Sequence, residues 1–169
     1  RIVDYGERTS FISELIISYE DGRKESIIDE KNWSYNYGPI LSSSIYNGER
    51  VDMNLKNSKW SFPGHKNKNS KKAKIASRYK GFIDYTRNEM IKKREVLSAK
   101  ELIITPSGDK VIDFGRNLVG WVKFKSALPK GTEVKLYHAE VLDKKGEFYT
   151  TNLRKAEQKN TFILNGDED

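Results

Sequence analysis

The sequence predicts an all-β chain of antiparallel sandwich type, and three observations carry that prediction. Short runs rich in Val, Ile, Leu, Tyr and Phe recur along the chain, and several alternate apolar with polar residues, the period of a half-buried strand. Gly, Asn, Asp and Pro punctuate these runs at even intervals, as turns between sandwich strands do. No segment holds a clean helical period. Even Arg87 to Glu101, rich in helix formers, fails to set Met90, Ile91, Val96, Leu97 and Leu102 on one stripe, so it is read as extended.

Taken in order, Ser10 to Tyr19 is a β-branched run, and Lys24 to Ile28 returns extended after Asp21-Gly22. That pair is a hairpin turn in which Gly takes positive φ. Trp33-Ser-Tyr-Asn-Tyr37 alternates aromatic and polar, and Gly38-Pro39 breaks it. Ile40 to Asp52 holds a second extended pair around Asn47-Gly48. Lys56 to Lys74 is rich in Asn, Ser and Lys and reads as loop or linker. Leu102 to Ile104 leads through Pro106-Ser-Gly108 into Val111-Ile112. Trp121 to Lys125 alternates again, Pro129 to Thr132 turns, and Val134, Leu136 and His138 share one strand face. Lys145-Gly146 turns once more before a last apolar strand, Thr161 to Leu164.

Bulk properties narrow the function classes. The chain has 169 residues, of which 36% are apolar and 33% charged, and no cysteine, so disulfides and thiolate metal sites are excluded. No apolar run reaches the roughly 18 residues of a membrane helix. The first residue is Arg1, from which a fragment is expected, and the compartment stays open. Net charge is +7, yet Gly64 to Arg94 alone carries eleven Lys/Arg against Asp84 and Glu89. The basicity is thereby assigned to one connector, without a nucleic-acid partner. Tyr79, Phe82 and Tyr85 are the aromatics that a stacking platform would use there. The organisation expected is the end of a first sandwich over 1–60, a basic connector over 61–96, and most of a second sandwich over 97–169.

The most informative stretch is Val111-Ile-Asp-Phe-Gly-Arg-Asn-Leu-Val-Gly-Trp-Val-Lys-Phe124, followed by Leu136-Tyr-His-Ala-Glu-Val-Leu-Asp143 and Gly146-Glu-Phe-Tyr-Thr-Thr-Asn-Leu-Arg154. Upstream, Asp21, Gly22, Trp33, Gly38-Pro-Ile40, Ser44-Ile-Tyr-Asn-Gly-Glu49 and Asp52 fall in a matching order. Together these resemble the bacterial α-L-rhamnosidases. Three departures are Arg116 where that family usually has Gln, Val51 where it has Tyr, and the Lys-rich run from His65 to Lys74. The resemblance implies jelly-roll or concanavalin-like sandwich domains, the first partial and the second nearly complete. It also implies a helical catalytic barrel elsewhere in the polypeptide, release of terminal L-rhamnose with inversion, and no cofactor.

Candidate chemistry is weighed residue by residue. Inverting glycosidases need two carboxyl groups roughly 6.5–9.5 Å apart, for which Asp113, Glu140 and Asp143 are available. The plainer reading is preferred: Asp113 and Asp143 fix turns, Glu140 pairs with Arg154, and no residue here is catalytic. A sugar wall of aromatic faces and placed polar groups would draw on Trp121, Asn117, Tyr149, Asn152 and Arg154. Against it, Trp121 could be core and Asn117 a left-handed turn residue. Gly115 and Gly120 are turn glycines rather than a phosphate loop. His65 and His138 lack metal-pair spacing, and Ser42-Ser-Ser44 lacks the frame of a nucleophile elbow. The expected function is a non-catalytic rhamnosidase fragment partnered by its own barrel, with a rhamnose-containing saccharide as a second candidate partner. A free-standing carbohydrate-binding module is the alternative, and a basic nucleic-acid-binding protein the third.

Overall fold

The structure, a computed structural model, describes residues 9–28, 31–66, 69–77, 81–82 and 84–167. Its chain divides into two units: Arg1–Asn36 with Trp60–Arg87, and Tyr37–Lys59 with Asn88–Asp169. Among the described residues there are ten short strands and two 3-10 turns, with no α-helix.

In the first unit, β1 (Leu15–Ser18) and β2 (Lys24–Ile27) pair antiparallel. Tyr19 N–H donates to the Arg23 carbonyl (2.9 Å) and Gly22 N–H to the Tyr19 carbonyl (3.0 Å), with Gly22 at φ +86°. This is a three-residue hairpin loop whose last member must be left-handed. The strands are shorter than the apolar run, because residues 10–14 find no ladder partner. β3 (Ser34–Tyr35) pairs with β6 (Lys71–Lys72), so the loop expected over Lys56 to Lys74 contributes one short strand.

The second unit contains the only four-stranded sheet among the described residues, in the order β4 (Ile40–Ser44), β5 (Gly48–Asp52), β10 (Lys159–Ile163), β9 (Glu133–Tyr137). β4–β5 and β9–β10 are antiparallel, whereas β5–β10 is parallel, with Phe162 opposite Val51. The hairpin that sequence places in the first sandwich thus shares a sheet with strands of the second. Sequence pattern is silent on such a pairing, since parallel neighbours need a long connection. The core lies here: Val51 is 8% exposed and Thr161 4%. Exposure alternates along β9, with Val134 and Leu136 turned inward and Glu133, Lys135 and Tyr137 outward.

Gly48 is where the hairpin meets β10. It sits at φ +82°, and a Cβ there would lie 2.2 Å from the Lys159 carbonyl oxygen. Around it, Gln158 N–H donates to the Tyr46 carbonyl (3.0 Å) and Lys159 N–H to the Asn47 carbonyl (3.2 Å). Gln158 Nε2 donates to the Ile45 carbonyl (3.1 Å), and Asn160 Oδ1 accepts from Glu49 N–H (3.0 Å).

β7 (Glu101–Ile104) and β8 (Lys110–Asp113) form a separate ribbon. Its loop repeats the β1–β2 pattern: Thr105 N–H donates to the Asp109 carbonyl and Gly108 N–H to the Thr105 carbonyl. The same pattern closes Asp143 to Glu147 around Gly146. Residues 88–100 lie in no ladder.

Candidate functional site

The central motif begins where β8 ends. Asp113 Oδ1 accepts from Gly115 N–H at 2.7 Å, and Lys100 N–H donates to the Asp113 carbonyl at 2.8 Å. Gly115 takes φ +77°, with the Lys100 side chain packed over it. The turn is therefore made by Gly115. Asn117, considered above as its left-handed member, is absent from the positive-φ residues, and Gly120 is likewise outside the left-handed region. Arg116 Nη2 is ion-paired with Glu95 Oε1.

Beyond this turn the chain runs from Asn117 to Leu128 without a ladder partner. Trp121 is 68% exposed and Val119 fully so. Val122 and Phe124 turn inward, and the Phe124 ring meets Phe162 of β10 edge-on at 5.4 Å. The core reading of Trp121 gives way to Phe124 as the anchoring ring.

The other carboxylates are held locally. Asp143 Oδ1 accepts from Lys145 N–H (2.8 Å) and Glu147 N–H (2.9 Å). These bonds, that from Glu147 first, hold its carboxyl below the usual carboxylate range. Glu140 Oε2 accepts from Asn152 Nδ2 at 3.4 Å, while Arg154 forms no ion pair with it among the described residues. Asn152 lies in the 3-10 turn Thr151–Leu153, and Arg154 follows at φ +58°. That backbone directs Arg154 away from the helical path and leaves Asn152 as the nearer donor. Tyr149 is half-buried. No hydrogen bond or ring contact joins Trp121, Asn117, Tyr149 and Arg154 to one another among the described residues.

His138 is half-buried, and burial pushes its pKa below the ordinary imidazole value. Its Nε2 lies 3.4 Å from Asn160 Nδ2, the same Asn160 that caps Glu49 N–H. His65 N–H donates to the Phe62 carbonyl at 3.0 Å. Among the described residues no group of His, Asp and Glu is arranged to hold a metal ion, and no helix is long and apolar enough to cross a membrane. Phe82 and Tyr85 of the basic segment are 87% and 75% exposed, with Arg87 over the Tyr85 ring at 5.4 Å. Tyr79 lies outside the described residues, as do Glu168 and Asp169 of the last loop.

Short strands, left-handed glycine loops and a mixed sheet shared between two stretches of chain define a β-sandwich module. Residues 1–95 match the α-L-rhamnosidase N-terminal domain, and residues 103–169 match the bacterial α-L-rhamnosidase concanavalin-like domain. The chain belongs to the α-L-rhamnosidase family. It is 31% identical to an α-L-rhamnosidase of Streptomyces avermitilis over 96% of its own length and 16% of that enzyme's. A Formosa agariphila α-L-rhamnosidase is also 31% identical, over 93% of this chain and 17% of that one. The crystal structure of native α-L-rhamnosidase from Aspergillus terreus superposes with a TM-score of 0.84 at 31% identity, covering 92% of this chain and 18% of that chain. The Streptomyces avermitilis enzyme complexed with L-rhamnose gives 0.79 at 30% identity, covering 96% and 16%. The chain thus spans about a sixth of the length of the curated relatives it matches.

Proposed function

We propose that this chain supplies non-catalytic β-sandwich structure to an α-L-rhamnosidase, flanking a helical barrel that carries the hydrolytic carboxylates. The whole enzyme would release terminal L-rhamnose with inversion. The observation that carries this reading is one of proportion: 96% of the chain is matched, yet it corresponds to 16% of the relative. The local fate of the acids supports it, because Asp113 and Asp143 accept turn N–H bonds and are poorly placed to trade protons with a substrate. In sequence we place the modules at 1–60 and 97–169, joined by the basic stretch 61–96. Trp121, Asn117, Tyr149, Asn152 and Arg154 are proposed as the polar and aromatic residues nearest a bound saccharide. The direct test is hydrolysis of an aryl α-L-rhamnoside by this chain alone. No turnover is expected, and turnover that survives removal of contaminating glycosidase would overturn the reading.

The second reading, a carbohydrate-binding module, is favoured by the 68% exposure of Trp121. An indole so open to water is available for stacking on a sugar ring. Tryptophan fluorescence titrated with L-rhamnose, with glucose as control, tests it. A saturable signal lost in Trp121→Phe supports binding, and a flat titration of folded protein removes it.

A further inference from the structure

We infer that the Lys-rich stretch of the first unit is a docking face for an anionic lipid surface, a bilayer rich in negatively charged phospholipid headgroups. From Trp60 to Arg87 the sequence holds eight Lys/Arg and a single acid, Asp84. That acid is already taken: its Oδ2 pairs with Arg87 Nη2 at 2.8 Å, and its Oδ1 accepts from Tyr85 N–H at 2.9 Å. Residues 1–36 of the same unit are net acidic, so the positive charge is confined to this stretch. The run from His65 to Lys74 is also where the chain departs from the usual family pattern, which makes the feature this protein's own. Part of it is held in place. β6 pairs with β3, setting Lys71 opposite Tyr35 and Lys72 opposite Ser34, and Ala73 N–H donates to the Trp33 carbonyl at 2.9 Å. Lys71, Lys72 and Lys74 are all exposed. Lys72 and Lys74 form no ion pair among the described residues.

Charge alone would suit any polyanion, and the apolar side chains among the cations choose between them. Ile75, directly after Lys74, is 67% exposed, and Phe82 is 87% exposed. Apolar side chains set among lysines are what an interfacial segment sinks into the headgroup boundary while its ammonium groups meet the anionic headgroups. Lysine suits this place, since its stem lies along apolar surface and its charge stays in water. A single-stranded nucleic acid would instead stack its bases on ring faces. Ile75 has no ring, and the Tyr85 ring already has the Arg87 guanidinium over it at 5.4 Å. The contact is peripheral: it lies on the bilayer and needs no spanning segment.

The test mixes the intact chain with vesicles of equal parts phosphatidylcholine and phosphatidylglycerol and measures co-sedimentation. Vesicles of phosphatidylcholine alone are the control. The chain should sediment with the anionic vesicles at low salt, stay in solution with the neutral ones, and be released as salt rises. Lys71→Gln with Lys72→Gln and Lys74→Gln should weaken binding about a hundredfold, the scale of three basic residues at an anionic surface. Phe82→Ser, which leaves the charge unchanged, should weaken it about tenfold, the scale of withdrawing one large apolar side chain from the interface. Circular dichroism checks that these exposed substitutions keep the fold. Phe82 lies outside every ladder, so its variant tests insertion even if β6 tolerates no change. Absence of binding to the anionic vesicles overturns the inference, as does equal binding to the neutral ones. If Phe82→Ser binds as tightly as the unaltered chain, or duplex DNA binds at equal strength with the steep salt dependence of phosphate neutralisation, the stretch is a general polyanion site and the inference fails.

Discussion

The four-stranded sheet and the two-stranded ribbons of this chain are built from similar sequence and end in different states. In the sheet, β5 lies between β4 and β10, and Val51 falls to 8% exposure. In the β7–β8 ribbon, Leu102, Ile104 and Ile112 are equally apolar, yet they remain 61%, 57% and 53% exposed. The β1–β2 ribbon is alike, with Leu15 and Ile16 each 59% exposed. Alternation gives a strand a wet and a dry side only when a second layer or further strands supply the dry side. A lone pair of strands is marginal in water, so these ribbon faces mark where a sandwich needs additional polypeptide.

The largest effect should come from the glycines that the comparison separates. Gly48 and Gly22 have almost the same φ, +82° and +86°, but a Cβ on Gly48 meets the Lys159 carbonyl oxygen at 2.2 Å, and one on Gly22 meets nothing within 4 Å. Gly48→Val should cost about 4 kcal/mol or more, combining left-handed strain with a backbone clash, and should separate the β4–β5 hairpin from β10. Gly22→Ala should cost about 1 kcal/mol, from strain alone. Urea unfolding of both variants decides the matter. Equal losses would mean that the hairpin–β10 junction is not what holds the second unit together.

Next in size are the apolar truncations. Val51→Ala should destabilise by about 2 kcal/mol, the transfer and cavity terms of an enclosed side chain. Leu102→Ala, a larger deletion, should stay within about 0.5 kcal/mol in this chain, because the side chain is already wet. Measured in a longer polypeptide that covers the ribbon, the order should invert. Failure to invert would show that the ribbon face is not a buried surface there either.

Which features could be read from sequence follows from how local their causes are. The hairpin around Asp21-Gly22, the loop at Pro106 to Gly108 and the turn at Lys145-Gly146 were all readable, because each is fixed by a glycine that must be left-handed. The inward face of β9 was readable from alternation alone. The parallel β5–β10 pairing was not, since Arg50 and Thr161 carry no mutual signal across the intervening chain. Trp121 to Lys125 shows why alternation overstates strands: its period is right and its faces are sorted, but no ladder partner is present among the described residues. In the candidate site, Asp113 was set at its turn by the Gly115 beside it. The choice of Asn152 over Arg154 as the partner of Glu140 depends on the 3-10 turn and the left-handed Arg154, which composition does not encode.

Acid should expose a contrast of its own. His138 is held below its ordinary pKa by burial, so the fold favours the neutral ring. The stability this reflects is complete above the unfolded histidine pKa and is lost as pH falls through that value toward the lower folded one. Beside the ring lies the Asn160 amide, its Nδ2 3.4 Å from Nε2. Turning the amide over would withdraw Oδ1 from Glu49 N–H. Asp143 has a depressed carboxyl pKa, so its contribution holds above the unfolded aspartate pKa and fades as pH drops further. Stability at fixed urea should therefore fall in two windows. His138→Gln should remove the upper one, at the hairpin junction, and Asp143→Asn should shrink the lower one, which the depressed Glu133 and Asp21 carboxyls share. A single window untouched by His138→Gln would exclude the imidazole as a sensor of that junction.

The smallest effect is expected across the sheet itself, from Arg50 on β5 to Glu133 on β9, which pair at 2.5 Å over the intervening β10. The Arg50 guanidinium, through its hydrogen bond first, holds the Glu133 carboxyl below its usual range, with Lys135 adding to it. Both side chains are substantially exposed, at 42% and 37%, where ion pairs are screened and weak. Arg50→Gln should lower stability slightly at low ionic strength and not at all in molar salt, where charges a few ångströms apart are already screened. A loss that persists in salt would assign the role to the Arg50 stem, an aliphatic cover lying over β10. The sheet would then owe part of its dry side to a residue whose charge had suggested only a surface pair.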